Sequence, residues 1–259
     1  MPARVITILT DFGLGDPFVG MMKGVILTLA PEVQIVDLTH NITPGDIKTA
    51  AFFLKQSFKF FPHGSIHIGV VDPGVGGERK AILVQAENHF FVGPDNGLFY
   101  PLVADKEFKV FHLNKTEFHL PEVSRTFHGR DIFAPVAAYL SKGVSPQRLG
   151  EQIPLIQKLE LPLIKKEGKF LRGEIIHIDS FGNLISNIPK TALAGKRVKE
   201  VRIKDVVLKG LCRSYSEKKK GELLCLIDSF SLLEISANQA KAAEILKADR
   251  GESLEVEFY

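Results

Sequence analysis

The stretch RVITILTDFGLGDPFVGMMKGVILTLAPEVQIVDL, residues 4–38, decides the fold class. Its β-branched, apolar start at 4–9 predicts a buried strand that ends at a polar turn. Apolar residues then recur at helical spacing over 16–30, Pro31 ends that segment, and a second apolar strand follows at 34–38. A strand, a helix and a strand in this order predict a βαβ unit with parallel strands.

The rest of the chain divides by composition into an α/β part and a β-rich part. The α/β part continues with predicted helices at 44–60 and 131–142 and predicted strands at 66–71, 81–86 and 89–92. The β-rich part contains strand-like runs at 170–178, 199–209, 222–227, 231–236 and 253–258, with a helix at 238–248. The predicted fold class is α/β, with a mainly parallel central sheet in an N-terminal domain and a smaller, β-barrel-like C-terminal domain. The predicted boundaries are 1–155 for the first domain, 156–169 for a linker and 170–259 for the second domain.

Composition excludes several classes of protein. The 259 residues carry a net charge of +3, and the mean hydropathy is +0.08. No run approaches the roughly 18 apolar residues of a membrane span, so no membrane partner is expected. Lys and Arg are scattered rather than gathered on a broad basic face, so nucleic acid is not an expected partner. The first residues suggest a strand rather than a signal peptide, so we expect a cytoplasmic protein.

Polar clusters follow the predicted strands of the α/β part. They are Asp11–Asp16, Asp37–His40, Asp72–Arg79, Gly93–Gly97 and Thr126–Asp131. Because ligands bind beyond the carboxyl ends of parallel strands, several of these clusters can meet at one cleft. Purely structural roles for these residues stay open at this point. Asp-Pro-Gly is a good turn sequence, Asp11 can cap a helix, and Arg130 can form an ion pair with Asp131.

The motifs that are missing from the sequence narrow the chemistry. GxGxxG after the first strand and GxxxxGK[ST] are both absent, which removes the main argument for a dinucleotide or P-loop nucleotide site. HExxH and GxSxG are absent too, and the two cysteines cannot form a four-cysteine zinc site. The sequence therefore predicts a site built from Asp, Arg, His and Asn without a metal.

Five long motifs of the α/β part carry a family resemblance. They are ITILTDFGLGDPFVGMMKG (6–24), IVDLTHNITPGDI (35–47), VVDPGVGGERKA (70–81), VGPDNGL (92–98) and TFHGRDIFAPVAA (126–138). They resemble, in the same order, the S-adenosyl-L-methionine hydroxide adenosyltransferase family, the former DUF62, which is related to fluorinase and chlorinase. IHIDSFGNLISNI (176–188) and SLLEISANQAKAA (231–243) in the C-terminal part look similar as well.

The resemblance implies an enzyme that splits S-adenosyl-L-methionine into adenosine and L-methionine without a cofactor. The catalytic set of the family falls on Asp72, Arg79 and His128. Its ribose-binding aspartate falls on Asp11, and its adenine-contacting residues fall on Asn183 and Tyr215. The other positions implied to bind substrate are Asp16, Asp72, Asp179, Ser229, Glu234 and Ala237. Related proteins are homotrimers whose sites lie between the N-terminal domain of one subunit and the C-terminal domain of its neighbour, and the same assembly is expected here.

The chemistry of the substrate agrees with this expectation. A sulfonium is already a good leaving group, so the barrier lies in placing a desolvated nucleophile in line behind C5′. A carboxylate beside an arginine and a histidine can orient one water and accept its proton. Two alternatives remain, an adenosine-binding or S-adenosyl-L-methionine-binding sensor and a halide transferase. In the halide enzymes the positions matching Asp72 and His128 are typically tyrosines, so these two residues favour water.

Overall fold

Strand β1 (Val5–Thr10) lies in the parallel part of the first sheet, and five of its six residues are buried. It pairs in parallel with β2 (Gln34–Thr39) on one side and with β3 (Ile66–Val70) on the other. Helix α1 (Phe18–Leu29) connects β1 to β2 and buries Val19, Met22 and Ile26, which lie on one face at helical spacing. The predicted strand–helix–strand unit is therefore confirmed.

The structure is a computed structural model that describes residues 5–259, and the chain divides into two compact units. The first unit ends at Glu160, and the second runs from Leu161 to Tyr259. Further helices of the first unit are α2 (Ile47–Ser57), α3 (Tyr100–Val103), α4 (Ala134–Ser141) and α5 (Pro146–Leu149). Further strands of this unit are β4 (Ala81–Ala86), β5 (His89–Pro94), β6 (Phe108–His112) and β7 (Glu151–Ile153).

The first sheet has the strand order β2-β1-β3-β5-β4-β6-β7 and is mixed. The strands from β2 to β5 are parallel, whereas β4, β6 and β7 pair antiparallel with their neighbours. Glu87 and Asn88 join β4 to β5 with positive φ angles of 48° and 62°, as a two-residue hairpin requires. The prediction of a mainly parallel sheet thus needs correction, because such a short connection can only join antiparallel strands.

The second unit is built from antiparallel strands. In chain order they are β8 (Lys165–Glu167), β9 (Phe170–Ile178), β10 (Leu184–Pro189), β11 (Val198–Ile203), β12 (Val206–Lys209), β13 (Leu223–Ile227), β14 (Leu232–Ala237) and β15 (Ser253–Phe258). Their order is β12-β11-β15-β9-β10-β14-β13, with β8 paired to β9. Strands β12 and β13, at the two ends of this order, lie next to each other, so the sheet nearly closes into the predicted barrel. The short helices α6 (Lys190–Leu193) and α7 (Ala242–Leu246) lie between its strands.

Each unit has its own apolar core. In the first unit, buried side chains of the strands pack against α1 and α4 in one cluster and against α2 and α3 in another. In the second unit the inward-facing residues of the barrel strands and α7 form a single cluster. Within residues 5–259, no helix is long and apolar enough to cross a membrane.

A buried pair of histidines lies in the core of the first unit. His67 in β3 is fully buried, with Nδ1 2.8 Å from the Thr7 hydroxyl and Nε2 3.1 Å from Nδ1 of His89. The rings of Phe58 and Phe91 pack against it. Burial, together with the neighbouring His89, lowers the pKa of His67 to about 3. His67 is therefore neutral in the folded protein at any pH near neutrality.

We expect His67 to make the first unit sensitive to acid. Because the pKa is about 3 in the folded state and 6.5 in its ordinary state, only the unfolded chain takes up a proton between these values. The contribution of His67 to the free energy of unfolding is then complete above pH 6.5 and falls by about 1.4 kcal/mol for each pH unit below it. Urea denaturation at several pH values should give a slope that is flatter in His67→Gln than in the natural protein by about this amount. A variant of the exposed His63, His63→Gln, should keep the steep slope, and an equally steep slope in His67→Gln would contradict the assignment.

Candidate active site

Asp72, Arg79 and His128 form one connected cluster in the first unit. Nε of Arg79 donates to both carboxylate oxygens of Asp72, at 3.0 and 3.1 Å, and Nη2 donates to Oδ2 as well. Nη2 also lies 2.7 Å from Nδ1 of His128. The side chains of Asp72 and Arg79 are only 5% and 11% exposed, so little solvent screens this charge pair.

The loop after β3 brings Asp72 and Arg79 together. Asp72 follows Val71, whose carbonyl accepts a hydrogen bond of 2.8 Å from Nδ2 of Asn96, so the start of the loop is held in place. Gly76 has a φ of +74°, and a Cβ atom there would lie 2.1 Å from the carbonyl oxygen of Arg125. Only glycine fits this close approach, which lets the loop fold back so that Arg79 reaches the carboxylate seven residues earlier.

The protonation of His128 follows from its partner. An arginine can only donate, so Nδ1 of His128 accepts from Arg79 and the proton of the neutral ring lies on Nε2. Burial lowers the pKa of His128, and the Arg79 charge lowers it further, whereas Asp72 and Asp131 act in the opposite direction. His128 therefore presents a neutral ring with an N–H donor at Nε2.

His128 directly precedes a π-helical turn, Gly129–Phe133, that continues into α4. Asp131 in this turn is fully buried, pairs with Arg130 and accepts a hydrogen bond of 2.8 Å from the backbone N–H of Ser124. The ion pair between Arg130 and Asp131 was one interpretation of the sequence, and it is present. The contacts of Asp131 also hold in place the segment that contains His128. Turns of π-helix such as this one are frequent at functional sites.

Asp11 and Asp16 lie in the loop after β1. Oδ2 of Asp11 accepts a hydrogen bond of 2.8 Å from the backbone N–H of Gly45, which orients the carboxylate. A carboxylate has about four acceptor positions, so Asp11 keeps capacity for two neighbouring hydroxyl groups. Asp16 is exposed. The helix-capping interpretation of Asp11 is not needed, because Pro17 directly precedes α1 and occupies its cap position.

In the second unit, Asp179 and Asn183 form a tight turn between β9 and β10. Oδ1 of Asp179 accepts from the backbone N–H groups of Phe181 and Asn183 at 2.9 Å, and Oδ2 accepts from Nδ2 of Asn183 at 3.0 Å. Asn183 is buried, whereas Phe181 between the two polar residues is 74% exposed. No sequence motif singles out Phe181, although an exposed aromatic ring beside an Asn is suited to stacking on a purine.

Tyr215 and Glu234 form a second polar pair in this unit. The Tyr215 hydroxyl donates to Oε1 of Glu234 at 2.9 Å, and the Ser236 hydroxyl donates to the same oxygen. Burial raises the pKa of Glu234, and burial together with the bond to Glu234 raises the pKa of Tyr215. Of the other two positions predicted here, Ser229 is exposed and Ala237 is buried.

Asp228 is a carboxylate that the sequence analysis missed. Its Oδ1 accepts from the backbone N–H groups of Phe230 and Leu232 at 2.9 and 2.8 Å, while Oδ2 is buried without a hydrogen-bond partner among the described residues. Burial raises its pKa, and the nearby carboxylate of Asp179 raises it further. The sequence does mark this position. The tetrapeptide IDSF, which contains Asp179 at 178–181, occurs again at 227–230, where it contains Asp228.

The structure thus brings the predicted residues together in three groups. They are Asp72 with Arg79 and His128, Asp179 with Asn183, and Tyr215 with Glu234. The roles of the residues in these groups stay predictions. Across residues 5–259, no group of three His, Cys, Asp or Glu side chains is arranged to hold a metal ion.

Comparison with known proteins agrees with the sequence motifs. The family model of the SAM hydroxide adenosyltransferase N-terminal domain matches residues 6–150, and that of the C-terminal domain matches residues 173–255. A protein of Thermus thermophilus named (R)-S-adenosyl-L-methionine hydrolase is 36% identical over 256 residues, which cover 96% of this chain and 97% of its own. A fluorinase of Actinoplanes is 25% identical over 224 residues, which cover 74% of this chain and 75% of its own.

A solved structure shares the fold over nearly the whole chain. The crystal structure of an uncharacterized conserved protein from Thermotoga maritima superposes with a TM-score of 0.91 at 33% identity, covering 97% of this chain and 99% of the other. Both domains of the family are matched in order, and their matched residues span the Asp72–Arg79–His128 cluster and the Asp179–Asn183 turn. The chain therefore belongs to the S-adenosyl-L-methionine hydroxide adenosyltransferase family.

Proposed function

We propose that this protein is an S-adenosyl-L-methionine hydrolase that releases adenosine and L-methionine. The observation that carries the proposal is the cluster of Asp72, Arg79 and His128 in a chain of this family. The cluster combines a carboxylate that can take up a proton with two donors that can hold a water oxygen. The relative at 36% identity carries the name of this activity, and the fluorinase is more distant at 25% identity.

The reaction is a single displacement at C5′ of the ribose. The water oxygen forms a bond to C5′ while the bond from C5′ to sulfur breaks, and the electron pair of that bond leaves with sulfur as a neutral thioether. Asp72 accepts the proton that the water loses, and Nε2–H of His128 donates to a lone pair of the same water. Arg79 cannot take up the proton, so it orients Asp72 and stabilises the negative charge that develops on the attacking oxygen.

Other residues hold the substrate in line with the water. Asp11 accepts hydrogen bonds from the 2′ and 3′ hydroxyls of the ribose, and Asp16 and Asp179 lie toward the ammonium and sulfonium charges. Asn183, Tyr215 and the exposed Phe181 contact the adenine. The remaining positions of the second unit that contact the substrate are Ser229, Glu234 and Ala237. The proposed arrangement uses the binding energy of both ends of the substrate to place C5′ against the water.

The direct test is to incubate the purified protein with S-adenosyl-L-methionine in oxygen-18 water. We expect one heavy oxygen in adenosine and none in methionine, because the water attacks C5′ directly. Both sulfonium epimers should be assayed, and we expect the (R) epimer to react faster, since the Thermus thermophilus relative is named for it. Added chloride should give no 5′-chloro-5′-deoxyadenosine, because the Asp72 carboxylate disfavours a second anion beside it.

The possible outcomes separate the alternatives. Unlabelled adenosine would contradict the one-step attack of water, and chlorinated product would assign the protein to the halide branch. Binding of adenosine without any product over hours would favour the sensor. A variant in the same loop as Asp72, Glu78→Gln, serves as a matched control because Glu78 is exposed, and its turnover should equal that of the natural protein.

The proposed assembly is a homotrimer whose sites combine the first unit of one subunit with the second unit of another. If this is so, inactive Asp72→Ala chains mixed with inactive Asn183→Ala chains should regain activity, since some sites then unite two intact halves. Mass spectrometry of the mixed sample must first show that subunits exchange. No recovery after proven exchange would mean that each chain builds its own site.

A further inference from the structure

Four polar side chains contact one another in a continuous series that runs from helix α1 to the end of β1. Nζ of Lys23 donates to Oδ2 of Asp37 at 2.6 Å, and Oδ1 of Asp37 lies 3.1 Å from Nε2 of His40. Nδ1 of His40 in turn lies 2.9 Å from the hydroxyl of Thr10. Thr10 and His40 are 0% and 4% exposed, so the inner half of this series is shielded from water. None of the four residues belongs to the reaction proposed above.

A β-bulge brings His40 to this position. Ile8 pairs with Asp37 but Leu9 pairs with Thr39, so β2 has one extra residue, Leu38, at this point. A bulge bends its strand and changes the direction of the side chains that follow. The result here is that His40, just beyond the end of β2, lies beside Thr10 at the end of β1.

The positions of the hydrogen atoms in this series of side-chain contacts can be assigned. Nε2 of His40 lies 3.1 Å from Oδ1 of Asp37, which can only accept, so the proton of the neutral ring lies on Nε2. Nδ1 then accepts from the Thr10 hydroxyl, whose oxygen in turn accepts from the backbone N–H of Phe12 at 3.3 Å. Burial alone would raise the pKa of Asp37, but the hydrogen bonds from Lys23 and His40 lower it, so the acceptor stays charged.

The same histidine also holds the loop after β1 through its backbone. The carbonyl of His40 accepts a hydrogen bond of 2.8 Å from the N–H of Gly13. The carboxylate of Asp11 is fixed by the N–H of Gly45, in the segment that follows His40. Two contacts with His40 therefore hold the loop that contains Asp11. The hydroxyl of Thr10, just before the loop, bonds to the His40 ring, and the N–H of Gly13, within the loop, donates to the His40 carbonyl.

We propose that His40 is a positioning residue that holds loop 11–16, and with it the Asp11 carboxylate, in the conformation that receives the ribose. The inference rests on the proposed function for the identity of the ligand, but the contacts within the loop do not depend on it. Because His40 has no contact with the reacting atoms in this scheme, its loss should weaken binding at the ribose end and leave the chemical step almost unchanged.

The test compares His40→Ala, His40→Asn and Thr10→Val with the natural protein. We expect the Kd of adenosine, measured by calorimetry, to rise about tenfold or more in His40→Ala and Thr10→Val. The value of kcat at saturating substrate should stay within about threefold, so KM and kcat separate. His40→Asn should recover most of the affinity, because its amide oxygen can still accept from Thr10. A variant of the exposed His63, His63→Ala, is the matched control and should bind adenosine normally.

A second measurement does not require turnover. Hydrogen exchange of peptides covering loop 11–16 should be about tenfold faster in His40→Ala and Thr10→Val than in the natural protein. If His40→Ala does not fold, His40→Leu replaces it, because Leu fills similar space without a hydrogen-bonding group and leaves the bond from the Phe12 N–H to Thr10 in place. Unchanged adenosine affinity or unchanged exchange in folded variants would overturn the inference while the hydrolase assignment stands. If the natural protein does not release adenosine, the proposed function fails instead, and the exchange measurement still tests the role of His40.

Discussion

Replacing Asp72 with asparagine should lower turnover by about 100-fold or more, which is the effect of losing a general base. Asparagine keeps the shape of the side chain but cannot accept the proton of the attacking water. It also leaves the largely buried Arg79 without its charged partner, so the guanidinium is no longer held in place to stabilise the developing charge. The measurement is the rate of adenosine release at saturating substrate, followed by liquid chromatography.

Two observations make the result for Asp72 interpretable. The affinity for adenosine, measured by calorimetry, should stay close to that of the natural protein, because Asp72 acts on the water rather than on the nucleoside. The far-ultraviolet circular dichroism spectrum should also be unchanged. Near-normal turnover in a folded Asp72→Asn protein would remove Asp72 from the chemistry, and the Asp-Pro-Gly segment would then be a structural turn only.

The second large effect is expected at Asp11, where asparagine should weaken adenosine binding roughly 10- to 150-fold. That range corresponds to about 1.5–3 kcal/mol for hydrogen bonds to a charged group. Asparagine is a sharper test than alanine, because its amide oxygen can still accept from the N–H of Gly45 and so keep the side chain in place. Only the charge and one acceptor oxygen are lost, and these are what two adjacent ribose hydroxyls require.

The control for Asp11 is Glu32→Gln, which removes an exposed carboxylate elsewhere in the first unit. It should bind adenosine with unchanged affinity, and this would show that net charge alone is not responsible. A useful second ligand is 2′,3′-dideoxyadenosine, which should bind equally weakly to the natural protein and to Asp11→Asn. Equal adenosine affinity in the natural protein and in Asp11→Asn would remove Asp11 from the ribose site.

Much of the fold was predictable because its signals are local. The apolar run of β1 and the helical spacing of α1 each depend on a few neighbouring residues. Strands β6, β7, β8 and β10 were not predicted. Each is short or mixed in composition, and a strand of this kind is stabilised by the neighbours with which it pairs rather than by its own sequence.

The site divides in the same way. The motifs of the sequence, with their family likeness, were enough to select Asp72, Arg79 and His128. That Nδ1 of His128 is the acceptor follows only from its contact with Arg79, which is 49 residues away in the chain. Asp228 was missed although the repeated IDSF tetrapeptide marks its position, because only the structure shows that its Oδ2 is buried without a hydrogen-bond partner among the described residues.

The sequence by itself determined the class of the two domains, the residues proposed to carry the chemistry and the family to which the chain belongs. The tertiary structure alone decided the mixed order of the first sheet, the tautomer of His128 and the chain of contacts from Lys23 to Thr10. The physical reason is that hydrogen bonds, pKa shifts and strand pairings depend on distances between atoms that are remote in the chain. Local sequence patterns record which side chains are available, and only folding brings them within 3 Å of their partners.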